Sequence, residues 1–66
     1  MHIKVNGKPH ELAAPLTVQA LTAELALNPK QVAVERNGDI VPRSTYGEVM
    51  INAGDEIEIV KFIGGG

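Results

Sequence analysis

Met1, Ile3 and Val5 alternate with His2 and Lys4, the two-residue period of a strand that buries one face and wets the other. Asn6-Gly7 follows at once. A tight type I′ hairpin needs positive φ at both central positions, which Asn and Gly tolerate best, so a turn is predicted there. The returning strand should cover 8–13, with Pro9 marking a sheet edge where a missing N–H breaks no ladder. The period then lengthens: Val18, Leu21 and Leu25, with Thr22 between them, share one stripe of a helix. Thr17 is placed to cap its start, and Leu16 and Leu21 occupy the two positions of a hydrophobic staple. The helix should stop near Leu27, with Asn28 in a left-handed conformation and Pro29 unable to continue the hydrogen bonding.

Residues 32–36 read as a strand, Asn37-Gly38 as a second hairpin turn, and 39–41 as its returning strand, ended by Pro42. Residues 43–50 keep no clean period and are expected to form an irregular crossing with one helical turn around 44–46. A turn by composition at 52–55 leads into a last strand at 56–62. One helix is thus available to cover one face of a mixed sheet of four to five strands, an α+β order that is the ubiquitin-like β-grasp layout. In that layout the last strand lies parallel beside the first at the sheet centre, so residues that follow it leave from an anchored point. Residues 1–62 are therefore expected to form a single β-grasp domain, with 63–66 as a flexible glycine tail.

A chain of 66 residues has room for one domain, and such a domain buries only about 60% of its unfolded surface. Hydrophobic residues at 44% and charged residues at 21% are enough to fold it, since disorder goes with far less apolar content. Six basic against eight acidic side chains leave a net charge of -2, which offers no basic field to nucleic acid or anionic lipid. The absence of cysteine excludes a disulfide framework, a thiolate metal site and a cysteine nucleophile. No signal-peptide pattern and no membrane-length apolar run is present, so a cytoplasmic location is expected.

Ile63, Gly64, Gly65 and Gly66 come directly off the final strand, with no tag or linker between. Three consecutive glycines offer nothing to pack and lose the most entropy on ordering, so they do not serve the core. A tail without Cβ atoms can thread a narrow channel and bring a carboxylate to a reactive centre. Partner contacts are expected on the final strand, where Ile57 and Ile59 alternate with Glu56, Glu58, Val60 and Phe62. Two arrangements fit that pattern. Either Val60, Phe62 and Ile63 form an apolar docking patch rimmed by Glu56 and Glu58, or a bulge after Ile59 returns Val60 or Phe62 to the core.

Weaker candidates exist elsewhere. His2 and His10 are brought near each other if the first hairpin aligns them, but without acidic or thiolate companions they make a poor zinc site, and no metal is expected. Arg36, Asp39 and Arg43 form a mixed-charge cluster around the second hairpin, read mainly as a solvated turn. Ser44, Thr45 and Tyr46 have no base nearby, so no catalytic residue is assigned.

The run Val34-Glu35-Arg36-Asn37-Gly38-Asp39-Ile40-Val41-Pro42-Arg43, the later Asn52-Ala53-Gly54-Asp55-Glu56-Ile57-Glu58-Ile59 and the ending Gly64-Gly65-Gly66 resemble the ThiS family of ubiquitin-like sulfur carriers in thiamine biosynthesis. The resemblance spans the chain. It implies a protein that is not itself an enzyme and binds no cofactor. An E1-like adenylyltransferase would use ATP to adenylate the Gly66 carboxylate, and a sulfur-donating protein would convert it to a thiocarboxylate. That thiocarboxylate would then supply sulfur to thiazole synthase. The small subunit of molybdopterin synthase is similar too, but is usually longer and carries prolines before its glycines, where this chain has Val60-Lys61-Phe62-Ile63. A protein modifier joined through Gly66 and a plain β-grasp interaction module are the remaining alternatives.

Overall fold

Alternation in the first segment produces the hairpin it predicts: β1 (His2–Val5) and β2 (Lys8–Glu11) run antiparallel, joined by Asn6 and Gly7 at φ 52° and 79°. The molecule is seen here in a computed structural model, which describes residues 1–62. A two-residue strand, β3 (Leu16–Thr17), leads into helix α1 (Val18–Glu24) and a 3-10 turn at Pro29–Gln31. The second hairpin joins β4 (Val32–Arg36) to β5 (Asp39–Ile40) through Asn37 and Gly38, again both at positive φ. A 3-10 turn at Arg43–Thr45 begins the crossing, which ends in β6 (Met50–Ile51) before the last strand, β7 (Glu56–Lys61).

The main sheet has five strands in the order β2-β1-β7-β4-β5, and β3 and β6 form a separate antiparallel pair. Among the described residues only the β1·β7 pairing is parallel; β7 lies at the centre, as the β-grasp layout requires. Pro9 falls on the edge strand β2, where its missing N–H breaks nothing. Val18, Leu21 and Thr22 of α1 are fully buried in one core with Ile3, Leu12, Val32, Val34, Ile51 and Ile57, so the helix covers one face of the sheet.

Thr17 caps α1 as expected, its Oγ1 accepting a hydrogen bond from the Ala20 N–H at 3.1 Å. The helix closes sooner than its apolar stripe implied. Ala26, not Asn28, takes the left-handed conformation (φ 58°), while Asn28 sits at φ -83°. The Leu27 N–H bonds the Thr22 carbonyl at 2.8 Å and the Ala26 N–H bonds the Ala23 carbonyl at 3.0 Å, a Schellman closure. Closing there turns Leu27 back against the core and frees Asn28 to cap the following 3-10 turn, with its Oδ1 accepting from the Lys30 N–H. β2 likewise ends at Glu11, short of residue 13, because Leu12 leaves the edge to bury itself and donates its N–H to Met1. Val41 does the same after β5.

Candidate functional site

The site begins with how β7 is held, because residues 63–66 follow it. Alternate residues of β7 bond to opposite neighbours, so the strand is tied on both sides. β1 pairs with it only at Lys4↔Glu56 and Val5↔Ile57, then turns away at Asn6. The Asn6 side chain replaces the ladder that is lost: its Oδ1 accepts from the Ile59 N–H at 2.7 Å, and its Nδ2 donates to the Ile59 carbonyl at 3.2 Å. The second turn asparagine works in the same way at the other end. Asn37 Oδ1 accepts from the Glu56 N–H at 2.9 Å, and Asn37 Nδ2 donates to Asp55 Oδ1 at 3.1 Å.

Asp55 is the hub of that lower end. Its carboxylate accepts from Arg36 Nε and from the Asn52 N–H, both at 2.8 Å, while being only 8% exposed. Burial pushes the carboxyl up, but the bonds from Asn52, Arg36 and Asn37 and the charge of Arg36 outweigh it, and the group titrates below the ordinary aspartate range. Sequence reasoning took both Asn-Gly dipeptides only as turns and Asp55 only as a turn residue. The signal available was an Asx residue flanking the last strand, with two positive-φ asparagines whose side chains had to point somewhere.

Glu56, Glu58 and Val60 lie on the sheet face opposite the helix, with Val60 60% exposed. The β4·β7 register is unbroken from Val32↔Lys61 to Arg36↔Ile57, so no bulge returns Val60 to the core. The same face gains residues that the sequence reading did not single out: Ala33 opposite Val60, Glu35 opposite Glu58, and Ile40 opposite Glu35. Ile40 is 76% exposed, which is unusual for a residue of its size. Glu35 and Glu58 face each other across adjacent strands, a like-charge pairing that disfavours the sheet. With Asn37, Gly38 and Glu56 they line an acidic depression of about 370 Å³. Glu56 also borders a more apolar hollow of about 390 Å³ against His2, Lys4 and Pro9, so the two form one continuous surface.

Phe62 is half-exposed, yet its ring is engaged: the Arg43 guanidinium carbon lies 5.8 Å from the ring centroid. Ile63, Gly64, Gly65 and Gly66, including the carboxylate proposed to carry the chemistry, lie outside the described residues.

The lesser candidates separate. In the hairpin register His2 faces Glu11 and His10 faces Ile3, so the two histidines sit on opposite faces of the sheet rather than near each other. His10 instead approaches Glu24 of the helix at 3.5 Å. The expected cluster of Arg36, Asp39 and Arg43 does not form either, because Arg36 turns to Asp55 while Arg43 donates to the Pro29 and Val32 carbonyls. Thr45 and Tyr46 use their hydroxyls on the Pro42 and Val32 carbonyls, at 2.7 and 3.1 Å. Among the described residues, no helix is long and apolar enough to cross a membrane.

Among known proteins, the chain is 48% identical to the "Sulfur carrier protein ThiS" of Bacillus subtilis over 65 residues, covering 97% of this chain and 98% of that one. It is 50% identical to a segment of the "Thiazole synthase" of Paramagnetospirillum magneticum, a match that takes in all of this chain but only 20% of the larger protein. A crystal structure of a thiamine biosynthesis protein (ThiS) from Geobacter metallireducens superposes over the full length of both chains, with a TM-score of 0.87 at 33% identity. The ThiS family model matches residues 3–66. With that match over nearly its whole length, a relative of its own size and the same fold, the chain belongs to the ThiS family.

Proposed function

We propose that this protein carries sulfur for the thiazole half of thiamine, on the carboxylate of Gly66. The observation that carries the reading is the attachment of residues 63–66 to β7, the central strand, which is bonded on both flanks and clasped by Asn6 and Asn37. A partner enzyme pulling the tail into a catalytic channel would meet a scaffold that does not yield. The ionised carboxylate is a poor electrophile, so an E1-like enzyme attaches it to the α-phosphate of ATP, releasing pyrophosphate. Sulfide-level sulfur from a donor protein then attacks the acyl carbon and expels AMP, leaving a thiocarboxylate. The protein contributes no acid or base of its own and acts as a co-substrate, with ATP held by the enzyme.

Thiazole synthase is the proposed acceptor, supported by the relatives of that name within which a segment like this chain occurs. Glu56, Glu58, Val60 and Phe62, joined by Glu35 and Ile40, are the proposed docking residues, with Ile63 continuing into the tail. An uncompensated like-charge pair such as Glu35 and Glu58 is what a surface kept for a basic partner would retain.

Intact-protein mass measurement after incubation with ATP, a sulfur donor and the cognate E1-like enzyme tests the proposal. A gain equal to exchanging one oxygen for sulfur, absent when Gly66 is deleted, is expected. No gain with an enzyme that loads another carrier refutes it. The identity with 20% of each thiazole synthase favours a second reading, in which this sequence is the carrier segment of a longer chain. The mass of the protein purified from its own cells distinguishes the two.

A further inference from the structure

Both hairpin turns are Asn-Gly dipeptides, 6–7 and 37–38, with Asn at φ 52° in each and Gly at 79° and 87°. This is the pairing in which an asparagine amide is lost most readily without an enzyme, because glycine has no Cβ to shield its nitrogen. That nitrogen, once deprotonated, attacks the asparagine Cγ; the Cγ–Nδ2 bond breaks and ammonia leaves. Water then opens the cyclic succinimide at either carbonyl, giving aspartate or the backbone-rerouted isoaspartate, each with a carboxylate in place of the amide. The two turns are alike locally, so only their tertiary partners distinguish them.

At Asn6 both amide atoms engage the backbone of one residue, Ile59, in an exposed setting. An aspartate there keeps the shorter bond, from the Ile59 N–H at 2.7 Å. Asn37 is different. Its Oδ1 accepts from the Glu56 N–H at 2.9 Å, and its Nδ2 donates at 3.1 Å to Asp55 Oδ1, a carboxylate only 8% exposed. Replacing Nδ2 by a carboxylate oxygen sets a second anion at hydrogen-bond distance from the first, where little water screens the pair. The ion pair of Arg36 is already spent on Asp55. Asn37 also lines the acidic depression with Glu35, Glu56 and Glu58, so the new charge falls among carboxylates on that side too.

We infer that Asn37-Gly38 is a site of spontaneous deamidation which the folded protein guards and whose product unseats the Asp55 hub. The guard is the same pair of bonds: they hold the amide toward β7, and Nδ2 must leave Asp55 before it departs as ammonia. Reaction therefore waits for local opening of the turn, and the hub does not re-form afterwards. The inference is independent of the sulfur-carrier reading.

The test compares native protein with protein unfolded in guanidinium chloride, both held in mildly alkaline buffer, with peptide mapping of amide-to-acid conversion at each dipeptide. Unfolded, the two should react at similar rates; folded, Asn37 should react at least roughly tenfold more slowly. Asn37→Asp, the product made directly, should lower Tm by about 8 °C or more, and Asn6→Asp by less. In an Asp55→Asn background Asn37→Asp should cost little further, because the carboxylate it opposes is gone. That exchanged pair is expected to fold even if Asn37→Asp alone does not. The inference is overturned if Asn37 reacts as fast in the folded chain as in the unfolded one. It is equally overturned if Asn37→Asp melts no lower than Asn6→Asp, or if its full loss persists in the Asp55→Asn background.

Discussion

Asp55 combines burial with charge in a way that ties stability to pH. Its folded carboxyl titrates below the ordinary aspartate range, despite desolvation, because Asn52, Arg36 and Asn37 all donate to the ionised form. A depressed folded pKa contributes stability that is fully present above the unfolded value of about 4 and is lost as pH falls through the folded one. Asp55→Asn keeps the volume but removes the charge and one acceptor, leaving Arg36 without its ion-pair partner. It is expected to cost about 1–3 kcal/mol at neutral pH. Urea unfolding at pH 7 and at pH 3 checks this: the gap between wild type and variant should shrink at the lower pH. A gap that stays constant would show that the carboxylate's ionisation contributes nothing.

At the scale of single elements, the helix has little stability of its own. A stretch of seven residues is too short to persist in water by itself, so α1 depends on the Thr17 cap, the Schellman closure and burial of Val18, Leu21 and Thr22. One feature of the closure is unfavourable: Ala26 occupies the left-handed region at φ 58°, where a Cβ crowds the following carbonyl oxygen. Ala26→Gly should therefore raise stability, by up to about 1 kcal/mol, even though glycine loses more entropy on folding. Thermal melting decides it. A fall in Tm would mean that the Ala26 methyl makes a contact worth more than the strain.

For the molecule as a whole, the sheet gives its two faces different tasks. The helix side holds the core, and the opposite side carries Ile40, Val60, Glu35, Glu56 and Glu58 in the open. A folded chain keeps such an apolar and acidic face exposed at little benefit to itself, which is the reason for assigning it to partners. Val60→Lys should leave unfolding free energy within about 0.5 kcal/mol of wild type, because the side chain is solvated. Affinity for the partner enzyme, read by titration calorimetry, should fall at least roughly tenfold, since docking would replace an apolar contact with a cation set against a basic partner. Unchanged affinity would move the docking surface elsewhere.

The order of elements was legible before any coordinates, because periodicity, Asn-Gly turns and the Thr17 cap are settled by residues within a few positions of one another. The family was legible for a similar reason, in contiguous motifs. The last strand's alternation could be read too, but whether Val60 faced outward could not, since a bulge depends on the register with β4. The rest arose only in three dimensions. The β3·β6 pair, the Asp55 hub and the Arg43 contact with Phe62 join residues with no periodic relation. The Asn6 clasp on Ile59 spans 53 positions of sequence. Local chemistry decided that Asn6 would turn the chain. Only the parallel docking of β7 beside β1 decided that its side chain would stand in for the missing strand, because a hydrogen bond forms where the fold brings a donor and an acceptor together.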